Sequence, residues 1–175
     1  MTQRIVLTGP ESTGKTTLAS ALARSFGAPW LPEASRGFAE EVNRELTAAD
    51  AETIATRVIR AEDAALAERP PLLVLDTDLI STVVFARHYY GACPAWIEAA
   101  ARARRGDLYL LCAPDLPWTA DGVRDRPSHR EEMFALFAGA LQEFGCASAG
   151  VSGMGPAREH TALALAAPVA AAWHR

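Results

Sequence analysis

The segment Gly9-Pro10-Glu11-Ser12-Thr13-Gly14-Lys15-Thr16 constrains this chain more than any other. Two glycines bracket four residues, and a lysine and a hydroxyl follow at once. Before it stands a short, β-branched, apolar run, Arg4 to Thr8 (R-I-V-L-T), of the kind that forms a buried parallel strand. After it, Lys15 to Phe26 carries Leu18, Leu22 and Phe26 at helical spacing. Strand, glycine loop and helix in that order let the backbone curl so that successive N–H groups point inward. The helix N-terminus adds its dipole, and the product is an anion site. The pattern is G-x-x-x-x-G-K-[ST], a cradle for the phosphates of a nucleoside triphosphate. Gly9, Glu11, Ser12, Thr13, Gly14, Lys15, Thr16 and Thr17 are therefore the candidate ATP-binding residues. Lys15 is expected to reach the β- and γ-phosphates, and the Thr16 hydroxyl to ligate Mg²⁺.

Composition sharpens this reading. Of 17 cationic residues, sixteen are arginine, and the only lysine is Lys15, where a compact charge on a flexible stem is needed. The formal net charge of -4 argues against a nucleic-acid partner, since binding a phosphate backbone takes a basic patch. Cys93, Cys112 and Cys146 are widely spaced and form no zinc or redox pair, which suits a reducing compartment. His88, His129, His160 and His174 lack metal-ligand spacing and are read as non-functional. No signal peptide is recognisable, and no stretch approaches the length of a membrane span. The expectation is a cytoplasmic protein with a small-molecule partner, not bound to a membrane. A length of 175 residues fits one compact domain, residues 1–175.

Along the chain, apolar strand-like runs alternate with helical ones. Strands are expected at Ala28 to Leu31, Leu72 to Leu75 (L-L-V-L), Asp107 to Cys112 and, more weakly, Cys146 to Val151. Helices are expected at Thr47 to Glu68, Leu79 to Tyr90, Pro94 to Arg105 and from Ser128 to about Phe144. The last of these opens on the capping box Ser128-His129-Arg130-Glu131. A closing helix, Arg158 to Trp173, is expected to be loosened by Pro168. This alternation predicts an α/β fold: a parallel sheet of about five strands, with helices on both faces. Ligands in such folds sit outside the carboxyl ends of the strands.

The chemistry-bearing residues fall at those ends. Asp76 closes the L-L-V-L run and could hold Mg²⁺ in a Walker B manner. Asp78 either caps the next helix or contacts substrate. Glu33, beside Arg36, could take a proton from a substrate hydroxyl, while Arg36 could hold an anionic group. Glu33 and Asp76 both remain candidates for the base. Arg124, Arg126 and Arg130 cluster in a proline-rich stretch that reads as a lid, approximately 113–130, suited to stabilising charge on a transferring phosphoryl group. Trp118 in that stretch could stack on a ligand ring or cap the core.

Several P-loop classes are excluded. A single lysine leaves no N-K-x-D guanine motif, and there is no L-S-G-G-Q signature. Thr77, rather than a glutamate, follows Asp76, unlike the usual mechanical ATPases. A small-molecule kinase remains. At this point the chain resembles the ribosylnicotinamide kinases, the kinase domain of certain bifunctional bacterial NAD-biosynthesis proteins and its single-domain relatives. The resemblance rests on G-P-E-S-T-G-K-T-T-L-A at 9–19, P-E-A-S-R at 32–36, L-D-T-D-L at 75–79 and P-W-T-A-D-G-V-R at 117–124.

The resemblance implies transfer of the ATP γ-phosphate to the 5′-hydroxyl of nicotinamide riboside. It implies that Trp118 stacks on the nicotinamide ring, that Asp121 holds substrate or lid, and that Arg124 acts on phosphates with Arg126 nearby. It further implies that Glu33 is the base, that Asp76 holds Mg²⁺, and that Gly153-Met154-Gly155-Pro156 holds adenine. The chain is too short for an added adenylyltransferase domain and has no H-x-G-H motif. Two alternatives stay open: a kinase for another nucleoside or small alcohol, and a nucleotide-dependent regulatory module without transfer.

Overall fold

A computed structural model describes residues 1–117 and 129–172. Its centre is β1 (Gln3–Thr8), whose last four residues are buried. Side chains alternate across a strand, so Val6 faces one core while Ile5 and Leu7 face the other. A strand buried on both faces needs neighbours on both edges. It pairs in parallel with β3 (Leu72–Asp76) on one side and β4 (Leu108–Cys112) on the other. The short β2 (Trp30–Leu31) joins β3, and β5 (Ser148–Val151) joins β4. The sheet is five-stranded and wholly parallel, in the order β2-β3-β1-β4-β5.

Parallel neighbours require crossovers, and helices supply them. On one face lie α1 (Lys15–Phe26) and α7 (Gly155–Ala171), whose Leu18, Leu22, Ala162, Ala166 and Ala170 pack on Ile5, Leu7, Val74 and Leu110. On the other lie α3 (Asp50–Ala67), α4 (Leu79–Tyr90), α5 (Ala95–Ala103) and α6 (Arg130–Glu143). Their Ala55, Ile80, Val83, Ile97 and Phe137 pack on Val6, Leu73, Leu75 and Tyr109. The small α7 residues let that helix lie close to the sheet, and Leu163, Leu165 and Val169 fill in beside them. The expected α/β architecture, with a parallel sheet between two helical layers, is what forms.

Boundaries differ in instructive ways. The second strand is only two residues long: Pro29 accepts from the Val74 amide but, as a proline, has no N–H to continue the ladder. One helix was not expected at all: α2 (Ala34–Val42), where Gly37 depresses helical propensity. Burial of Phe38 and Ala39 overrides it. α7 begins at Gly155 rather than Arg158, as Pro156 suits a first helical turn. It also runs through Pro168, so the expected loosening there does not end the helix. The capping serine expected at Ser128 lies outside the described residues, and α6 is described from Arg130.

Candidate active site

The loop between β1 and α1 takes the shape its glycines permit. Gly9 has φ +127°, and a Cβ there would come within 2.8 Å of the Cys112 carbonyl oxygen on β4. Gly14 has φ +77° and sits where α1 begins. Between them, the Thr13 hydroxyl donates to the Pro10 carbonyl at 2.8 Å, and Lys15 Nζ donates to the same oxygen at 2.7 Å. No side chain among the described residues caps α1. Its first-turn amides are therefore left for an anion, and the buried Lys15 ammonium stands beside them. These features fit a triphosphate.

Two strand ends away from water carry carboxylates. Asp76, at the end of β3, is 1% exposed. Its Oδ2 accepts from the Thr16 hydroxyl at 2.5 Å. Its Oδ1 is buried without a hydrogen-bond partner among the described residues. Burial pushes its carboxyl above the ordinary range; the Thr16 hydroxyl opposes this, the Glu33 charge adds to it, and the Lys15 and Arg36 charges oppose it. An orphaned carboxylate oxygen next to a P-loop hydroxyl is a donor set for a hard cation, so Asp76 and Thr16 fit Mg²⁺. Glu33 ends the β2 connection, is buried, and occupies the N-cap position of α2. The Ser35 hydroxyl donates to its Oε1 at 2.5 Å, and Arg36 lies on the same first turn. The charges on Glu33, Lys15 and Arg36 all act on the Asp76 carboxyl.

Asp78 turns the other way. Thr77 between the two aspartates has φ +68°, a rare conformation for a β-branched residue, and its N–H donates to Leu7 O. Beyond that twist, Asp78 Oδ1 accepts from the Ile80 amide and caps α4, while Oδ2 accepts from the Tyr109 hydroxyl at 2.5 Å. Burial pushes this carboxyl up to about 6, against the pull of Tyr109. Both oxygens are engaged inside the core, and of the two roles open to Asp78 the structure shows the cap.

Two further features were not legible beforehand. A cleft of about 450 Å³ opens beside the phosphate loop at Glu11. Its walls are Phe85, His88 and Tyr89 of α4, with His129 and Arg130 at the start of α6. The Phe85 and Tyr89 rings stack with centroids 6.1 Å apart, and His88 meets Tyr89 edge-on. Two histidines read as non-functional therefore line the cleft. Arg130 also donates to the carbonyls of Leu116 and, at 3.4 Å, Ser12. The second feature is Arg158, 3% exposed, whose guanidinium reaches the P-loop from α7. Trp118, Asp121, Arg124 and Arg126 lie outside the described residues.

With this geometry in place, comparison with known proteins is informative. The family described as AAA domain matches residues 4–158, from the first strand into α7. The chain belongs to this family. The chain is also similar to the trifunctional NAD biosynthesis/regulator protein NadR of Escherichia coli K12. The two are 29% identical over 147 residues, 79% of this chain and 35% of that protein. A crystal structure of NadR protein in complex with NR superposes with a TM-score of 0.82 at 25% identity, covering 97% of this chain and 51% of the other. A NadR structure in complex with NAD and AMP-PNP gives a TM-score of 0.77 at 25% identity, covering 97% and 50%. The chain spans about a third of the length of the curated relative and about half of each solved chain.

This AAA domain protein is thus a nucleotide-binding, P-loop chain of kinase-like fold, homologous to the NadR proteins that the motif resemblance pointed to. Among its described residues, no helix is long and apolar enough to cross a membrane. The P-loop was readable because its partners are local in sequence. Arg158 was not, because Thr13 stands 145 residues away.

Proposed function

We propose that this chain is an ATP- and Mg²⁺-dependent kinase that phosphorylates the 5′-hydroxyl of nicotinamide riboside, giving nicotinamide mononucleotide. What supports the proposal is the superposition on NadR bound to NR over 97% of this chain, together with the Thr16–Asp76 contact beside the phosphate loop. Lys15 and the α1 amides hold the β- and γ-phosphates. Thr16 and Asp76 hold Mg²⁺, which supplies charge neutralisation on the phosphate oxygens. With Asp76 assigned to the cation, the base role goes to Glu33, as the family resemblance implies. The riboside oxygen bonds to the γ-phosphorus, the bond from that phosphorus to the β–γ bridging oxygen breaks, and ADP leaves. The hydroxyl proton passes to the Glu33 carboxylate.

The aromatic wall of Phe85 and Tyr89, with Glu11 at the cleft's edge, suits a flat, cationic acceptor ring. Trp118, Asp121, Arg124 and Arg126 keep the substrate and phosphate roles that the resemblance implies. The deciding experiment follows product by mass, from nicotinamide riboside and Mg·ATP, with Lys15→Ala as control. Nicotinamide mononucleotide from the wild type alone is the expected result. Equal turnover of several unrelated nucleosides would replace the acceptor assignment. No transfer to any acceptor, with ATP still bound, would remove the kinase reading.

A further inference from the structure

Arg158 sits in the first turn of α7, where a helix dipole disfavours a cation. It is nonetheless 3% exposed, so something specific must hold it. Its Nη1 donates to Asp115 Oδ1 at 2.6 Å and to the Gly153 carbonyl at 2.9 Å. Its Nη2 donates to the carbonyls of Thr13 and Ala113, both at 2.9 Å. The other Asp115 oxygen accepts from the Gly153 amide at 2.6 Å. One planar group therefore ties three backbone segments together: the phosphate loop at Thr13, the exit of β4 at Ala113, and the turn after β5 at Gly153. Gly153 has φ +89°, so that turn is held in a shape few residues adopt. A lysine could not replace this fork, having a single nitrogen to share among four acceptors.

We propose that Arg158 is a positioning residue that fixes the spacing between the phosphate loop and the turn Gly153–Pro156, and so makes binding depend on the nucleoside as well as on the phosphates. The proposal rests on the reading that this turn holds the base. On that reading the phosphates lie at Gly14 and Lys15 and the base at the segment that follows β5. Only a rigid link between the two makes both ends of one nucleotide fit at once. Asp115 assists by neutralising the guanidinium and gripping the Gly153 amide.

The test compares equilibrium binding of Mg·ATP and Mg·tripolyphosphate, which has the phosphates but no nucleoside. Needing no acceptor, it stands or falls separately from the riboside assignment. Wild type is expected to prefer ATP. Arg158→Lys is expected to weaken ATP at least tenfold and tripolyphosphate less than threefold. Asp115→Asn, at a partly exposed position, is expected to act in the same direction but less, and it carries the test if Arg158→Lys does not fold. Combining the two should cost less than the product of the single effects, since they act through one cluster. Equal weakening of both ligands would reduce Arg158 to support of the phosphate loop and overturn the proposal. So would a wild type that binds the two ligands equally.

Discussion

Asp76 is ionisable, almost wholly buried, and has one oxygen without a hydrogen-bond partner among the described residues. Stability alone gives no reason to keep such a group, because a buried charge without full compensation is destabilising. Cation binding gives one. Asp76→Asn keeps an oxygen to accept from Thr16 but removes the charge. The variant should lose at least about a hundredfold in phosphoryl transfer, a loss in keeping with stripping charge stabilisation from a transition state. In urea denaturation it should be no less stable than wild type. Loss of both activity and stability would mean that Asp76 is chiefly a structural anchor. Gly9 shows the opposite balance. Its φ and its approach to Cys112 O leave no space for a methyl group. Gly9→Ala should cost on the order of 3 kcal/mol in the same assay. These two positions were readable in sequence, Gly9 from the phosphate-loop pattern and Asp76 from its place at the end of an apolar run, although their contacts to Cys112 and Thr16 form only in the folded chain. Arg158 was not: its acceptors at Thr13, Ala113, Asp115 and Gly153 converge only in the folded chain.

Among elements, α3 opens on a cluster built around one carboxylate. Asp50, three residues after Thr47, accepts from the Thr47 amide and hydroxyl, and from both terminal nitrogens of Arg44. The Arg44 guanidinium first, and then the Thr47 amide, hold its carboxyl well below the usual carboxylate range. A lowered folded-state pKa adds stability above the unfolded value, about 3.9. That stability is lost as pH falls below it. Asp50→Ala should therefore cost about 1.5 to 3 kcal/mol at pH 7, the range for lost hydrogen bonds to a charged group, and progressively less below pH 4. Denaturant titrations at pH 7 and pH 3 check this; a gap that does not narrow would point to packing. By contrast, α2 was not legible in the sequence. Its nine residues include Gly37, which depresses helical propensity. What forms it is tertiary: Phe38 packs inward and Arg57 of α3 lies over its ring at 4.7 Å.

For the whole molecule, alternating apolar runs made the parallel sheet legible but left the strand order open. That order, β2-β3-β1-β4-β5, sets the site. It places β3 beside β1, so Asp76 lies across from Leu7 and can meet Thr16 at the start of α1. It places β4 on the other side, where Cys112 closes over Gly9. Loop, carboxylate and the Arg158 clamp are therefore supported by the central strands of one cooperative sheet, so ligand binding should register in global stability. A ligand that binds only the folded chain adds about 2.7 kcal/mol at a hundred times its Kd. For a domain of this size that amounts to a rise of about 5 to 10 °C in Tm. Mg·ATP should produce such a rise in the wild type. Lys15→Ala should abolish it while leaving the unliganded Tm within a few degrees, because Lys15 Nζ bonds only to Pro10 O among the described residues. Asp76→Asn should retain a smaller rise, and only its metal-dependent part should vanish when Mg²⁺ is replaced by a chelator. A shift of equal size in all three proteins would show that the nucleotide binds somewhere other than the P-loop. No shift in the wild type at saturating Mg·ATP would separate the phosphate loop from any ATP-dependent role.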